Sequence, residues 1–318
     1  MTHQQLTADR LLLEGQHQRL RETAPVVVLA CVFAAGYAFL APQFFSLRGG
    51  SQFGQFAMPL VAVALGQALV MISRGIDLSA GSIVSVGCAL SAVLFESGWG
   101  GSLATVGCTL GACTLAGCLN GVLIGRLGLP AILVTLATSF VYSGLALFVL
   151  RQPGGGSDKG LAAIYTDWPL TPMVLVICLG IGWQILRSTR LGLCIHAVGD
   201  NPQAAERLGL PRTGLVTLVY AIAGALYGLC GLCLTLLTGA GDPLIGTPYT
   251  LNSIAAAVIG GVALTGGVGT FRGVIAGVIV LLLLTNILFA LGISAFFQPI
   301  AQGGVLVAAI AIQMLRRS

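Results

Sequence analysis

Apolar runs of bilayer length fill this sequence, at roughly 25–41, 55–73, 102–125, 130–150, 170–186, 214–239, 273–291 and 298–315. A membrane-crossing helix needs about 17–25 such residues, and inside lipid every backbone polar group must be paired within the protein. Two further apolar segments, 80–95 and 254–264, are shorter. Counting all ten predicts an all-α polytopic membrane protein with about ten transmembrane helices, two of them short or broken, and both termini on one side. Treating the two short segments as buried hairpins gives eight spans with the same parity. Only 8% of the 318 residues are charged, against about 25% in soluble domains, so an ordinary soluble fold is excluded.

Basic residues set the orientation. With the termini inside, that side receives Arg10, Arg19, Arg21, Arg74, Arg126, Arg187, Arg190, Arg207, Arg212, Arg272, Arg316 and Arg317, while Arg48, Arg151 and Lys159 fall outside. Such an imbalance follows the positive-inside rule. The expected organisation is a cytoplasmic tail over 1–24, then a transmembrane domain over 25–318 carrying one large cytoplasmic loop at 187–213. The tail is mixed-charge and lacks the continuous apolar stretch of a cleavable signal. The net charge of +5 is too dispersed for a nucleic-acid patch.

Glycines spaced by four recur at Gly107/Gly111, Gly117/Gly121/Gly125, Gly224/Gly228 and Gly273/Gly277. Each set places small residues on one helix face, where backbones can approach closely in lipid. Eight of the nine cysteines lie in apolar segments and read as packing residues rather than a disulfide framework. His3 and His17 lie in the tail and His196 stands alone in the loop, so no metal or catalytic constellation is visible.

The 187–213 loop is the polar interruption of this sequence. Within it, Asn201-Pro202-Gln203-Ala204-Ala205-Glu206-Arg207-Leu208-Gly209 carries helix punctuation. Asn201 suits the cap, Pro202 the first turn and Gly209 the left-handed residue beyond the end, with Pro211 blocking continuation. Ala204, Ala205 and Leu208 make a small apolar face. So short a helix needs support, either from a groove in another protein or from lipid headgroups.

Three ordered motifs resemble the ribose-type permeases of bacterial ATP-driven (ABC) importers. They are the loop itself, Ile72-Ser73-Arg74-Gly75-Ile76-Asp77-Leu78-Ser79-Ala80-Gly81-Ser82, and Leu251-Asn252-Ser253-Ile254 continuing through Gly260-Gly261 to Gly266-Gly267-Val268-Gly269-Thr270. Asn120-Gly121 and Leu129-Pro130-Ala131 fit as well, whereas Arg74 and Thr250 depart from the family pattern. The resemblance implies a multi-pass protein of the bacterial inner membrane, of the type II importer architecture. It makes the loop a coupling segment for the ABC ATPase subunit, carried by Gly199, Asp200, Asn201, Pro202, Ala204, Ala205, Glu206, Leu208 and Gly209. It also implies an extracytoplasmic sugar-binding protein and a second permease copy or sister permease as partners, besides lipid.

The sequence contains no G-x-x-x-x-G-K-[ST] phosphate loop. The expectation is therefore a chain that binds no cofactor and catalyses no reaction, with ATP and Mg on the partner ATPase. A ribose-like monosaccharide is the expected solute. The alternatives are an ABC permease for a nucleoside or sugar-like signal, an ion-coupled secondary transporter, and a structural membrane subunit.

A weak inverted repeat points to the route. Asp77-Leu78-Ser79 opens the first short segment and Thr250-Leu251-Asn252-Ser253 the second, and each is followed by a span with an asparagine towards its far end, Asn120 and Asn286. Interrupted segments at matching places in inverted halves mark a translocation axis. Asp77, Ser79, Asn120, Asn252, Ser253 and Asn286 are accordingly the expected pathway residues. For Asp77 three roles stay open: an ion pair with Arg74, a cap on the following helix, or a polar lining.

Overall fold

A computed structural model describes residues 26–98 and 100–294, together with 297, 299–304, 307 and 311. The tail at 1–24 lies outside the described residues, as does much of the span expected at 298–315.

The described elements are helical. After α1 (Val26–Leu40) come a 3-10 turn (Pro42–Phe45), α2 (Leu47–Ile72), α3 (Ala80–Ser97), α4 (Gly101–Gly125) and α5 (Ala131–Val149). Short α6 (Lys159–Thr166) precedes α7 (Thr171–Ser188). Then follow α8 (Arg190–Asp200), α9 (Pro202–Arg207), α10 (Arg212–Thr238), α11 (Thr247–Ile259) and α12 (Phe271–Ala290). Seven of them, α2, α3, α4, α5, α7, α10 and α12, are long and apolar enough to cross a membrane. The segment expected to be short at 80–95 is thus a full 18-residue helix.

Helix α2 is the axis of the fold. Ser46 caps it by accepting from the Gly49 amide (3.0 Å), and from Ala57 onward it is buried continuously. Helices α3, α7, α10, α11 and α12 pack around it. Its apolar residues meet protein on all sides, so the hydrophobic run carries no stripe. By contrast, α4, α5 and α7 turn Leu115, Phe140, Phe148 and Ile177 outward, as helices facing lipid do.

Small residues decide how closely the long helices approach. An added Cβ at Gly121 would lie 2.5 Å from the Thr217 Cα, and Gly117 and Gly125 similarly abut the α10 backbone at Tyr220 and Thr213. Gly224 and Gly228 meet Cys113, while Gly273 and Gly277 meet Gly260 and Ala256. Three of the four glycine sets therefore form the expected close faces. Gly107 and Gly111 have nothing within 4 Å, so that set is not an interface among the described residues.

Two interruptions organise the bundle. After α2 the chain turns at Arg74, the only described non-glycine residue with a positive φ (72°), and climbs back along α2. Asp77 thereby comes level with Gln67, whose amide pairs with both backbone groups of Asp77 at 3.1 and 3.2 Å when its nitrogen is turned to the carbonyl. After α10 the chain descends from the opposite end. Gly241 packs at Ala92 of α3 and Gly246 reaches Gly81 and Ser85, where its amide donates to Ser85 Oγ (3.0 Å). There α11 begins, deep in the bundle, and runs for 13 residues towards the end where α2 finishes.

The order helix, inward break, helix, long helix occurs twice, as α2–α3–α4 and α10–α11–α12, with opposite sense. The apolar segment expected at 254–264 is displaced: the helix is Thr247–Ile259, and Gly260 and Gly261 (φ 83°) end it. Val262 and Ala263 extend the apolar run because they are buried, not because they are helical.

Candidate functional site: a buried polar hub and a coupling face

Asp77 is a cap. Its Oδ1 accepts from the Ser79 amide (2.8 Å) and the Ser79 hydroxyl (2.6 Å), which fixes the start of α3. Ser79 Oγ in turn accepts from Asn120 Nδ2 (2.8 Å), and the Tyr142 hydroxyl reaches both the Ala116 carbonyl (2.8 Å) and Asn120 Oδ1 (3.3 Å). Thr135 Oγ1 accepts from the Leu78 amide (3.0 Å). One carboxylate thus ties the break to α4 and α5, while Gln67 ties it to α2. Buried polar groups linked in this way hold a single arrangement, because each unmade bond in a low-dielectric interior is costly.

Of the roles open for Asp77, the ion pair does not form: Arg74 is exposed, and the described salt bridge of this region is Arg212 to Glu206 at 3.1 Å. Asp77, Ser79 and Asn120 are all fully buried. Sequence reasoning named these three among six expected pathway residues; the structure joins them in one hydrogen-bonded network, to which it adds Gln67, Thr135 and Tyr142, none of them singled out from the sequence. Gln67 had a signal, as a lone amide within the apolar run of α2; intramembrane polar residues are expensive and so informative.

The other expected pathway residues sit differently. Ser253 is buried and donates to the Thr250 carbonyl (2.9 Å). Asn252 and Asn286 are half-buried on the antiparallel pair α11 and α12. Asn252 does not open its helix, which begins five residues earlier at Thr247. Beside it Leu251 is 64% exposed. At the meeting point of the two breaks, the Gly81 amide donates to Thr250 Oγ1 (3.1 Å), joining the start of α3 to α11.

The 187–213 loop folds into two helices. Asn201 Oδ1 accepts from the Ala204 amide (3.0 Å), Pro202 lies in the first turn and Gly209 is left-handed (φ 74°), as the punctuation predicts. The preceding half also forms a helix, α8, which sequence reasoning left unassigned although Ile195 and Val198 lie three residues apart on what becomes its buried face. One expectation about α9 is corrected. Ala205 is 3% exposed and turned into the protein, whereas Leu208 is 79% exposed and Ala204 also faces out. The outward face is therefore Ala204 and Leu208, with Gln203 and Arg207 beside it.

Gly199 has no room for a side chain between the Ile72 carbonyl and the Gly267 amide, so α8 docks backbone-to-backbone at the end of α2. Asp200 packs at Gly267 in the same seat. A cleft of about 430 Å³ lies beside it, lined among others by Arg74, Pro130, Pro202, Glu206, Arg212 and Tyr220. Residues expected inside, from four separate loops, thus gather at one end of the bundle. Among the described residues no group of three or more His, Cys, Asp or Glu side chains is placed to hold a metal.

Several known proteins are similar in sequence along most of this chain. The galactose/methyl galactoside import permease protein MglC of Salmonella typhimurium is 29% identical over 316 residues, covering 92% of this chain and 94% of that protein. The ribose import permease protein RbsC of Bacillus subtilis is 34% identical over 257 residues, 78% of this chain and 79% of that one. The autoinducer 2 import system permease protein LsrC of Escherichia coli is 31% identical over 303 residues, 92% and 86% respectively. No solved structure matches. With residues 52–310 matching the pattern described as "branched-chain amino acid transport system / permease component", the chain belongs to that family of membrane transport permeases.

Proposed function

We propose that this chain is the membrane-spanning permease of an ATP-driven, binding-protein-dependent importer that carries a monosaccharide across the bacterial inner membrane. The observation that carries the reading is α9: a capped helix seated on the end of the bundle, presenting Leu208 to solvent at 79% exposure. An apolar residue so displayed among Gln203, Glu206 and Arg207 suits a cleft in a partner protein. That partner is an ABC ATPase subunit, which holds the ATP and Mg this chain has no phosphate loop to bind. The chain itself is not an enzyme, since its family is a transport component.

The end bearing α8, α9, Arg74 and Arg272 is the cytoplasmic face in this reading. An extracytoplasmic binding protein delivers the solute at the other end, near α6 and the Gly154–Gly241 bridge. The route runs along the α11–α12 face of Asn252 and Asn286, between this chain and a second permease copy or sister. Half-buried amides offer a hydroxyl-rich solute donors and acceptors without a charge. Relatives named for galactose, ribose and autoinducer 2 import support a sugar or sugar-like solute as the class and do not single out ribose. The test is mass spectrometry of the ligand retained by the binding protein that stimulates this permease in the assembled complex. A monosaccharide or close sugar analogue is expected; an amino acid would overturn the substrate class.

A further inference from the structure

The coupling helices must act on the route through some joint, and the structure shows where α8 grips the bundle. His196 Nδ1 lies 2.7 Å from the Gly267 carbonyl oxygen, so that nitrogen carries the hydrogen and donates it. From the other side, the Gly267 amide donates to the Ile72 carbonyl at the end of α2 (2.9 Å). Gly267 belongs to the 260–270 connector between α11 and α12. It is left-handed (φ 77°), and a side chain there would meet Asp200 at 2.9 Å.

This connector is packed rather than loose. Val262 and Ala263 are fully buried, the Ala263 amide donates to the Val268 carbonyl (3.0 Å), and Gly260 and Gly273 meet backbone to backbone. Displacement of Gly267 is therefore passed to the end of α11 and not absorbed between. Ile72 holds the same residue from α2, and the histidine supplies a side-chain hydrogen bond to it from α8.

We propose that His196 is a positioning residue that transmits movement of α8 and α9 to the α11 half-helix, through its hydrogen bond to Gly267. The proposal rests on the coupling role assigned above to α8 and α9. It gives a task to a histidine that offers no metal site and no catalytic partner.

The test uses the complete complex of permease, ATPase and binding protein in proteoliposomes, with His196→Ala and His196→Asn. Asparagine places an amide nitrogen one bond from Cγ, where Nδ1 stood. Three quantities are read: co-purification of the ATPase, stimulation of ATP hydrolysis by loaded binding protein, and thiol reactivity of Asn252→Cys on a cysteine-depleted background with and without trapped nucleotide.

His196→Ala is expected to assemble and retain basal hydrolysis, to lose stimulation by roughly three- to tenfold, the worth of one hydrogen bond, and to lose the nucleotide response at position 252. His196→Asn is expected to restore both. Should His196→Ala fail to assemble, His196→Leu, which fills the space without a donor, is read in its place with the same expectation. Full stimulation and response without a donor at 196 overturns the proposal, as does an asparagine variant no better than alanine. A wild-type complex with no stimulated hydrolysis overturns the functional reading itself, and is distinguished because it needs no variant.

Discussion

At the residue scale, Asp77 is the side chain on which the first break depends. Asp77→Asn keeps an oxygen for the Ser79 amide and hydroxyl; Asp77→Leu leaves two buried donors without their acceptor, a loss of about 1–3 kcal/mol for each. The asparagine variant should unfold in detergent within a few degrees of wild type, and the leucine variant well below it. Equal losses would mean that charge, not these two hydrogen bonds, is what the site requires. A second carboxylate caps outside the membrane-spanning segments: Asp158 accepts from the Leu161 amide (2.7 Å) at the start of α6 and from Ser102 Oγ (2.6 Å). The Ser102 hydrogen bond first, and the Leu161 amide second, hold its pKa below the ordinary 3.8. A depressed carboxylate pKa stabilises above the unfolded value and loses that contribution as pH falls through the folded one. Protease nicking near α6 should accordingly rise only below about pH 4, and Asp158→Ala should show the raised nicking at neutral pH.

At the element scale, close helix contact and lipid-facing surface make opposite predictions for the same substitution. Gly121→Val drives its side chain into Thr217 and should cost about 1–3 kcal/mol or more through overpacking. Gly111→Val meets open space and should change stability by less than about 0.5 kcal/mol. Thermal unfolding of the two purified variants decides, and similar midpoints would contradict the α4–α10 packing. Helix α9 gives a comparable pair. Leu208→Asp alters only the exposed face and should leave the fold intact while abolishing binding-protein-stimulated hydrolysis. Ala205→Asp buries a charge and should lower the yield of folded permease. Fully stimulated hydrolysis in the Leu208 variant would argue that this face rests on lipid headgroups. The punctuation of α9 was legible because Asn201, Pro202 and Gly209 act locally. Which of its small residues points inward was not, because that depends on packing against α8, and the docking of α8 shows only once Gly199 is seen seated against Ile72.

At the scale of the whole molecule, the seven long apolar helices follow from hydropathy, since lipid admits few alternatives. The two interruptions were visible as motifs, but their depths were not. Apolar residues bury equally well as helix or as packed turn, so 254–264 looked like a span when half of it is the connector holding Val262 and Ala263. Likewise Asp77 and Asn252 seemed equivalent in sequence, yet one is consumed by its own hub and the other stays half-open beside α12. In the proposed function this permease moves a sugar only when an ATPase works on its α8–α9 end. Uptake of labelled monosaccharide into proteoliposomes holding permease, ATPase and external binding protein tests it most directly. The account predicts uptake that requires internal ATP and is indifferent to proton and sodium gradients; uptake by the permease alone, driven by either gradient, would contradict it.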